Sequence, residues 1–357
     1  MNGFRRRLMA GFQTSKLTTI RIDQNLTDPA TMITRIVDEG GIEAIRANSH
    51  RYVGVFDSTA NLMSLRQLGD NDGTKYLDGT DAPITTLGND VWMKLPQFWY
   101  KAEEYDTDVW DITFAYGSKP DGTFKEWDGK DLIGVYKASN LDGKLYSLSN
   151  TYLAGSLTQS NFKTRARNRG NGFTLVKWKC HCMIAMLFYA YYCNTDSQAI
   201  CGSGSSNREQ SGPTDYLGMK DTTGEPNIVN FWGLEHWWGT AYEFIDNVEI
   251  NNGIWNITED DNTIRTETNG NVSNGLIGKM LFGENMDLMP ISNGLRDQSF
   301  CDSYYSHGTN PTVLARSCNS SDFRAGVSFI AADFTQSLTA SSYGTRLSYR
   351  GDYIITD

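Results

Sequence analysis

Residues 225–246, EPNIVNFWGLEHWWGTAYEFID, form the stretch of the chain that decides the fold. Gly233 fits a tight turn, and a tryptophan-rich run follows it. At the end of the stretch Tyr242 and Phe244 flank Glu243, and this alternation of apolar and polar residues is typical of a β-strand. We therefore expect two aromatic side chains on one face of a strand and a carboxylate on its other face.

The residues upstream predict two helices and several short strands. Asp28 suits a helix cap and Gly40 a helix end, which predicts a helix over residues 28–40. A second, longer helix is predicted over residues 174–192. Strand-like runs of apolar and aromatic residues occupy residues 18–22, 52–56, 91–101, 110–116 and 132–137.

The composition of the sequence changes near residue 85, after a predicted loop rich in aspartate and glycine at residues 69–81. Short aromatic-rich strands follow this loop. We therefore divide the chain into two parts. Residues 1–85 are expected to form a small mixed domain for attachment or oligomerisation, and residues 86–357 are expected to form a ligand-binding domain.

The composition is that of a folded protein, and it excludes several classes of function. The chain has 357 residues, of which 39% are hydrophobic, and a formal net charge of -10. An acidic field repels phosphate groups, so nucleic acid is not expected as a partner. The longest apolar stretch, residues 183–193, is too short to span a bilayer. Because no long apolar run follows the basic residues 5–7, we expect no signal peptide and synthesis in the bacterial cytoplasm.

The cysteines and histidines do not form the pattern of a metal site. Cys180 and Cys182 lie one residue apart around His181, which does not match the spacing of CxxC zinc ligands. In a chain of this size with no predicted signal peptide, the six cysteines are expected to be reduced thiols. No metal and no cofactor are therefore predicted.

Three motifs resemble the signature of one protein family. Residues 226–246 are similar to PNxFGLxDMxGNVWEWxxD, the signature of the formylglycine-generating-enzyme-like subgroup of the C-type lectin fold. The same family closes with an RGGS-type turn and a GFRL strand, which resemble residues 314–317, LARS, and residues 344–347, GTRL. The resemblance implies an α+β fold, a C-type-lectin-like arrangement of irregular antiparallel β structure with two helices, preceded here by the small mixed amino-terminal domain. The positions that match the first motif are Pro226, Asn227, Gly233, Leu234, Gly239, Tyr242, Glu243, Phe244 and Asp246.

Members of this family are either enzymes or binding proteins. The formylglycine-generating enzymes need a close pair of reactive cysteines near the carboxyl end, whereas Cys318 has none after it and Cys301 lies too far upstream. The iron-dependent members need several histidines, and the four histidines here show no ligand spacing. Residues 225–227 match the EPN triplet of calcium-dependent lectins, but the partner WND-type sequence does not follow. Since the Glu243 position is typical of a structural carboxylate, we expect a non-enzymatic protein.

The carboxyl-terminal part of the chain has the composition of a recognition surface. From residue 295 onward there is no Lys, Glu, Met or Trp, and the segment is rich in Ser, Tyr, Asn, Gly and Thr. Tyrosine supplies rigid contact area, and Ser, Gly and Asn supply adaptable hydrogen bonds, as in antibody paratopes. We predict a variable-type surface at about residues 299–346. Its predicted ligand-binding residues are Tyr304, Tyr305, His307, Asn310, Asn319, Ser320, Asp322, Phe323, Arg324, Phe334, Ser341, Ser342 and Tyr343.

Two origins of this composition remain open. Randomising the adenines of an AAY codon yields no Lys, Glu, Met, Trp or Gln, and from Ser299 onward only Gln336 departs from that set. This fits a variable region diversified by a retroelement on a stable scaffold. A polar loop surface that was never diversified has the same composition.

These features predict a receptor-binding protein of a phage or prophage tail. The whole chain resembles tail proteins of gut Bacteroides phages, and the family includes the variable proteins of diversity-generating retroelements. The expected partners are a host cell-surface protein or glycan and other phage tail proteins, in a homo-oligomer for which a trimer is favoured. The expected location is the virion. The alternatives are a structural tail protein and an enzyme of the formylglycine-generating type.

Overall fold

The computed structural model describes residues 15–205, 207, 209–269, 272–306, 312–318 and 324–356. The strands of the first part are β1 (Lys16–Asp23), β2 (Ile33–Asp38), β3 (His50–Asp57), β4 (Leu62–Gly69), β5 (Asp72–Tyr76), β6 (Asn89–Lys94), β7 (Phe98–Asp106), β8 (Val109–Tyr116), β9 (Lys125–Trp127), β10 (Leu132–Lys137), β11 (Ser139–Leu141) and β12 (Lys144–Tyr146). The helices are α1 (Gly41–Ala47), α2 (Gln159–Arg167), α3 (Trp178–Tyr192) and α4 (Ser197–Cys201), with a single 3-10 turn at Asp215–Leu217.

The second part of the chain adds short strands. They are β13 (Phe173–Leu175), β14 (Asn230–Phe231), β15 (Leu234–Glu235), β16 (Tyr242–Asn251), β17 (Ile254–Thr258), β18 (Ile264–Thr268), β19 (Gly275–Leu281), β20 (Met289–Asn293), β21 (Ser303–Ser306), β22 (Thr312–Arg316), β23 (Ile330–Thr335), β24 (Tyr343–Tyr349) and β25 (Tyr353–Thr356).

Two sheets carry most of these strands. The smaller sheet is antiparallel and has five strands in the order β2, β1, β8, β7, β9. The larger sheet has sixteen strands and is mixed, because β16 with β24, β21 with β23 and β4 with β25 are parallel pairs. In β1 the alternating residues Ile20 and Ile22 are fully buried, which gives this strand one face toward the core.

Helix α3 lies in the core between the two sheets. It contacts β1 of the smaller sheet and β16 of the larger one. Twelve of its fifteen residues are buried, so it is apolar on nearly all sides, as expected for a central helix. The helix predicted over residues 174–192 is thus confirmed from Trp178 onward. Among the described residues no helix is long and apolar enough to cross a membrane.

The helix predicted over residues 28–40 is wrong. Residues 33–38 form strand β2, and the helix α1 begins only at Gly41. The segment ITRIVD is rich in β-branched residues, which fit a pleated strand better than a helix. Ile33 faces the core while Ile36 is 44% exposed, so the apolar residues do not form the continuous stripe that a helix needs.

The predicted α+β, C-type-lectin-like fold with two helices is also wrong. Strands account for 43% of the described residues and helices for 12%, and these residues contain four helices and a large mixed sheet. Many of the strands have only two to five residues, and alternation over so few positions is too weak to recognise in a sequence. The predicted loop at residues 69–81, for example, contains strand β5.

Strands from both sides of residue 85 pair with each other. β3 pairs with β6 over residues 50–55 and 89–94, and β4 pairs with the carboxyl-terminal strand β25. The division of the chain into residues 1–85 and 86–357 stays a prediction, and any test of it has to account for these two pairings and for the pairing of β1 with β8.

Candidate functional site

Strand β16 lies between β22 and β24 in the larger sheet. Tyr242 of β16 is the direct partner of Tyr343 of the parallel strand β24. Their rings are stacked, with centroids 4.6 Å apart and an angle of 13° between the planes. Phe334 of β23 meets the Tyr343 ring edge-on at 4.7 Å. The pairing of the strands therefore brings the Tyr242 ring together with two rings from a much later part of the sequence.

Two more rings extend this cluster. Phe329 lies 5.9 Å from Tyr242 and 5.9 Å from Tyr305, measured between ring centroids. Tyr242, Tyr305 and Phe334 are partly exposed, whereas Tyr343 is 8% exposed and Phe329 is 2% exposed, so these two rings support the other three. We call these five residues, Tyr242, Tyr305, Phe329, Phe334 and Tyr343, the aromatic face. Stacked and edge-on ring pairs of this kind are each worth about 1 kcal/mol beyond their buried area.

The structure brings several of the predicted ligand-binding residues together at this face. Tyr305, Phe334 and Tyr343 belong to it. Ser341 is exposed and Ser342 partly exposed, directly before β24, where the Ser342 carbonyl accepts a hydrogen bond from the Tyr242 nitrogen at 3.0 Å. Arg324 is partly exposed. The other predicted residues, except Tyr304, lie outside the described residues: His307, Asn310, Asn319, Ser320, Asp322 and Phe323.

Tyr304 is a correction to the predicted surface, because its side chain is only 2% exposed. Its ring stacks on Trp255 at 6.5 Å, and its hydroxyl accepts a hydrogen bond from the Asn269 amide at 3.1 Å. Successive residues of a strand point to opposite faces, so Tyr304 faces inward where Tyr305 faces outward. Composition alone does not distinguish these two tyrosines.

Behind the aromatic face, Glu243 binds three cationic side chains in the interior. Lys137 Nζ lies 2.5 Å from Glu243 Oε1, Arg346 Nη2 lies 3.1 Å from the same oxygen, and Arg316 pairs with Oε2. All four side chains are at most 2% exposed. Phe244 lies 5.6 Å from Tyr343, on the side of the aromatic face. The predicted alternation along this strand is thus confirmed.

Glu243 therefore works as an anchor and not as a proton donor. Burial raises the pKa of its carboxyl group, but Arg316, Arg346 and Lys137 together hold it at about 2. Burial lowers the pKa of Lys137 to about 7 against the opposing effect of Glu243. A carboxylate with so low a pKa stays ionised at neutral pH and has no proton to give.

The three motifs of the resemblance meet at this cluster. Glu243 comes from the first motif, Arg316 from the second and Arg346 from the third. The Arg316 guanidinium also lies over the Trp237 ring at 3.4 Å from its centroid, and it donates a hydrogen bond to the Trp237 carbonyl at 2.6 Å. The three motifs, which lie far apart in the sequence, are thus in contact in the fold.

A second buried carboxylate fixes the segment that carries Phe329. Asp302 accepts hydrogen bonds from the backbone nitrogens of Gly326 and Ser328, the latter at 2.8 Å. Ser197 of α4 accepts another from the Val327 nitrogen at 2.8 Å. Burial raises the pKa of Asp302 to about 8. These three hydrogen bonds hold the backbone at residues 326 to 328, and they thereby fix the position of the next residue, Phe329.

A small polar cavity lies beside the Glu243 cluster, next to Lys137, Glu235, His236 and Thr240. Both ring nitrogens of His236 and the Thr240 hydroxyl lack a hydrogen-bond partner within the described part of the chain. Burial, with Lys137 and Arg346 nearby, lowers the pKa of His236 to about 3. The cavity measures about 10 Å³, which is room for one water molecule. It is too small for a substrate.

Two residues of the aromatic face, Tyr242 and Phe329, are absent from the predicted site. For Tyr242 a signal was available, because a residue next to a buried carboxylate on a strand faces the other way. For Phe329 the sequence offers no such signal, since its position depends on the contacts of Asp302 and Ser197 with the backbone around it.

Comparisons with known proteins assign no family. Across the residues that the structure describes, no group of three His, Cys, Asp or Glu side chains is arranged to hold a metal ion. No protein-family model matches the chain, and the search of curated proteins finds no relative.

Proposed function

We propose that this protein is a non-enzymatic receptor-binding protein of a phage or prophage tail. In this proposal the aromatic face, with the serines before β24, contacts a protein or glycan on the host cell surface. The observation that carries the proposal is the cluster of mutually packed rings in which Tyr242, Tyr305 and Phe334 stay partly exposed on strands β16, β21 and β23.

The physical support is that a binding surface works best when its anchors are rigid. Tyrosine and phenylalanine contribute large contact areas, and they lose little conformational freedom when their rings are already packed. The ring of Tyr343 is fixed by Tyr242 and Phe334, while Glu243 fixes the strand beneath. Tyr305 and Phe334 keep exposed area for a partner.

The remaining parts of the proposal concern the assembly. The partners are a receptor on the bacterial host and other tail proteins, the location is the virion, and the chain forms a homo-oligomer, with a trimer favoured. Several copies would raise the strength of attachment without any new contact. The three motifs that resemble those of the formylglycine-generating-enzyme-like proteins support this proposal. The fold class that the resemblance implied is not part of it.

The test is adhesion of labelled protein to a panel of gut Bacteroidales cells. The wild type is compared with a Tyr305→Ala, Phe334→Ala double variant, which removes exposed ring area and leaves the buried Tyr304 in place. We expect the double variant to bind selected strains at least about tenfold more weakly, since truncating an aromatic anchor at the centre of an interface costs about 2 kcal/mol or more.

The matched control is Tyr216→Ala. Tyr216 is 63% exposed and lies on the 3-10 turn that contacts β5, away from the strands of the aromatic face. Equal binding by all three proteins would contradict a receptor surface at the aromatic face. If the double variant binds cells normally but fails to assemble into tails, the chain is a structural tail protein.

A further inference from the structure

A long polar groove lies on a part of the surface that the aromatic face does not use. Its central depression, about 690 Å³, lies between α2, residues 170–174, and the turn that joins β17 to β18. A second depression of about 270 Å³ shares Asp260 and Arg350 with it. A third, of about 330 Å³, shares Lys163 and Asp246. The three depressions therefore form one elongated groove, which we call the polar groove.

Ion pairs hold the charged groups of the polar groove in place. Lys163 Nζ lies 3.0 Å from Asp246 Oδ1. Lys177 Nζ lies 2.5 Å from Asp260 Oδ1, and Lys179 Nζ lies 2.5 Å from Asp260 Oδ2. Each paired side chain keeps further hydrogen-bonding positions, because a carboxylate has about four acceptor sites and an ammonium group has three donors. The walls of the groove thus present donors and acceptors side by side, in positions that are fixed before any ligand arrives.

Two exposed donors of the groove have no side-chain hydrogen bond or ion pair among the described residues. Arg167 is exposed and forms no ion pair with any described residue, and Asn171 is exposed on the loop after α2. A ligand with hydroxyl groups would satisfy such donors.

The charge balance and the lining define the class of ligand. The three depressions carry five basic and six acidic side chains, so the groove has no excess of positive charge with which to hold an anion. In the central depression the one aromatic lining residue, Phe173, is 2% exposed, and the other lining residues are polar or charged apart from Gly170 and Gly172. Hydroxyl groups both donate and accept hydrogen bonds, which suits mixed walls.

From these features we infer that the polar groove binds a neutral, linear oligosaccharide. The elongated shape accommodates several sugar units in a row, and the paired charges bind hydroxyl groups without leaving an isolated charge desolvated. The inference is independent of the proposed role of the aromatic face, because the two sites share no residue.

The experiment uses the full chain and defined sugars. Binding of maltohexaose, cellohexaose, mannohexaose and chitohexaose is measured by calorimetry and by saturation-transfer NMR, with hexagalacturonate as the acidic comparison. We expect at least one neutral hexasaccharide to bind, and an Arg167→Ala, Asn171→Ala variant to weaken that binding about tenfold or more, because both lost donors serve the ligand alone.

Arg165→Ala is the matched control, since Arg165 lies on the same helix and does not line the groove. The Tyr305→Ala, Phe334→Ala variant should keep full sugar binding, so a failure of this inference is distinguishable from a failure of the receptor proposal. The inference is overturned if no neutral hexasaccharide binds at millimolar concentration, if hexagalacturonate binds better than all of them, or if the groove variant binds as the wild type does.

Discussion

Single side chains decide how the aromatic face is supported. Among the described residues, Glu243 is the one carboxylate that contacts Lys137, Arg316 and Arg346 together, and all four side chains are at most 2% exposed. Taking a charge out of water costs several kcal/mol, and only the opposite charge and good hydrogen bonds offset that cost. Removal of the carboxylate therefore leaves three cationic groups in the interior with no counter-charge.

We expect Glu243→Gln to destabilise the protein by about 3 to 5 kcal/mol, the range for breaking a buried ion pair at one partner. Urea unfolding followed by tryptophan fluorescence gives the change in free energy of unfolding. Glu103→Gln serves as control, because the Glu103 side chain is 58% exposed in its ion pair with Lys101, and such a pair should contribute less than about 1 kcal/mol. Similar losses in the two variants would show that Glu243 is no special support.

At the scale of elements, helix α1 is seated directly on strand β1. A Cβ atom at Gly41 would lie 2.7 Å from the Lys16 carbonyl oxygen and 2.8 Å from the Thr18 nitrogen. The Thr18 hydroxyl also accepts a hydrogen bond from the Ile42 nitrogen at 3.1 Å. Gly40, one residue earlier, has a φ of +79° and open space around it. The two neighbouring glycines therefore have different roles. Gly41 allows the helix backbone to approach the backbone of β1, and Gly40 adopts a positive φ.

This difference yields a paired prediction. Gly41→Ala should destabilise the protein by about 1 to 3 kcal/mol, because the added methyl group forces helix and strand apart. Gly40→Asn should cost less than about 1 kcal/mol, since asparagine tolerates a positive φ and meets no neighbour. Thermal and urea unfolding of both variants provide the measurement. A Gly41→Ala variant as stable as the wild type would refute the close contact.

Elements of strong periodicity were predictable from the sequence, and short ones were not. The long apolar run of α3 and the strand-like runs around residues 52–56 and 132–137 correspond to real elements. The sequence predicts a helix over residues 28–40 because Asp28 resembles a helix cap and glycines follow at 40 and 41. Residues 33–38 form a strand instead, in agreement with their β-branched side chains. For the candidate site, composition found Tyr305, Phe334 and Tyr343, but facing direction, which excludes Tyr304, follows only from strand register.

At the scale of the whole molecule, the carboxyl-terminal strand is tied to a strand from the first hundred residues in the larger sheet. The carboxyl-terminal strand β25 pairs in parallel with β4, and Tyr353 donates a hydrogen bond to the Gly129 carbonyl at 3.1 Å. One apolar cluster includes Ile20 of β1 as well as Ile330 of β23. We therefore expect the free energy of folding to depend on contacts between the first hundred residues and the last hundred.

A fragment of residues 86–357 tests this dependence. It lacks β3 and β4, which are the partners of β6 and β25. We expect the fragment to lose the near-ultraviolet circular dichroism of the full chain and to unfold without a cooperative transition. A fragment that keeps both properties would establish residues 86–357 as an independent domain, as the sequence suggested.

The buried Glu243 cluster has a consequence for the speed of folding. Its three partners are 73, 103 and 106 residues away along the chain, so no local structure can bring the four charges together. A partly collapsed chain that buries one of them alone pays its desolvation in full. Contacts of such long range also slow folding through the entropy of closing large loops. We therefore expect a protein that refolds slowly from urea, with a late step in which the strands around Glu243 come together. We also expect the folded protein to unfold slowly.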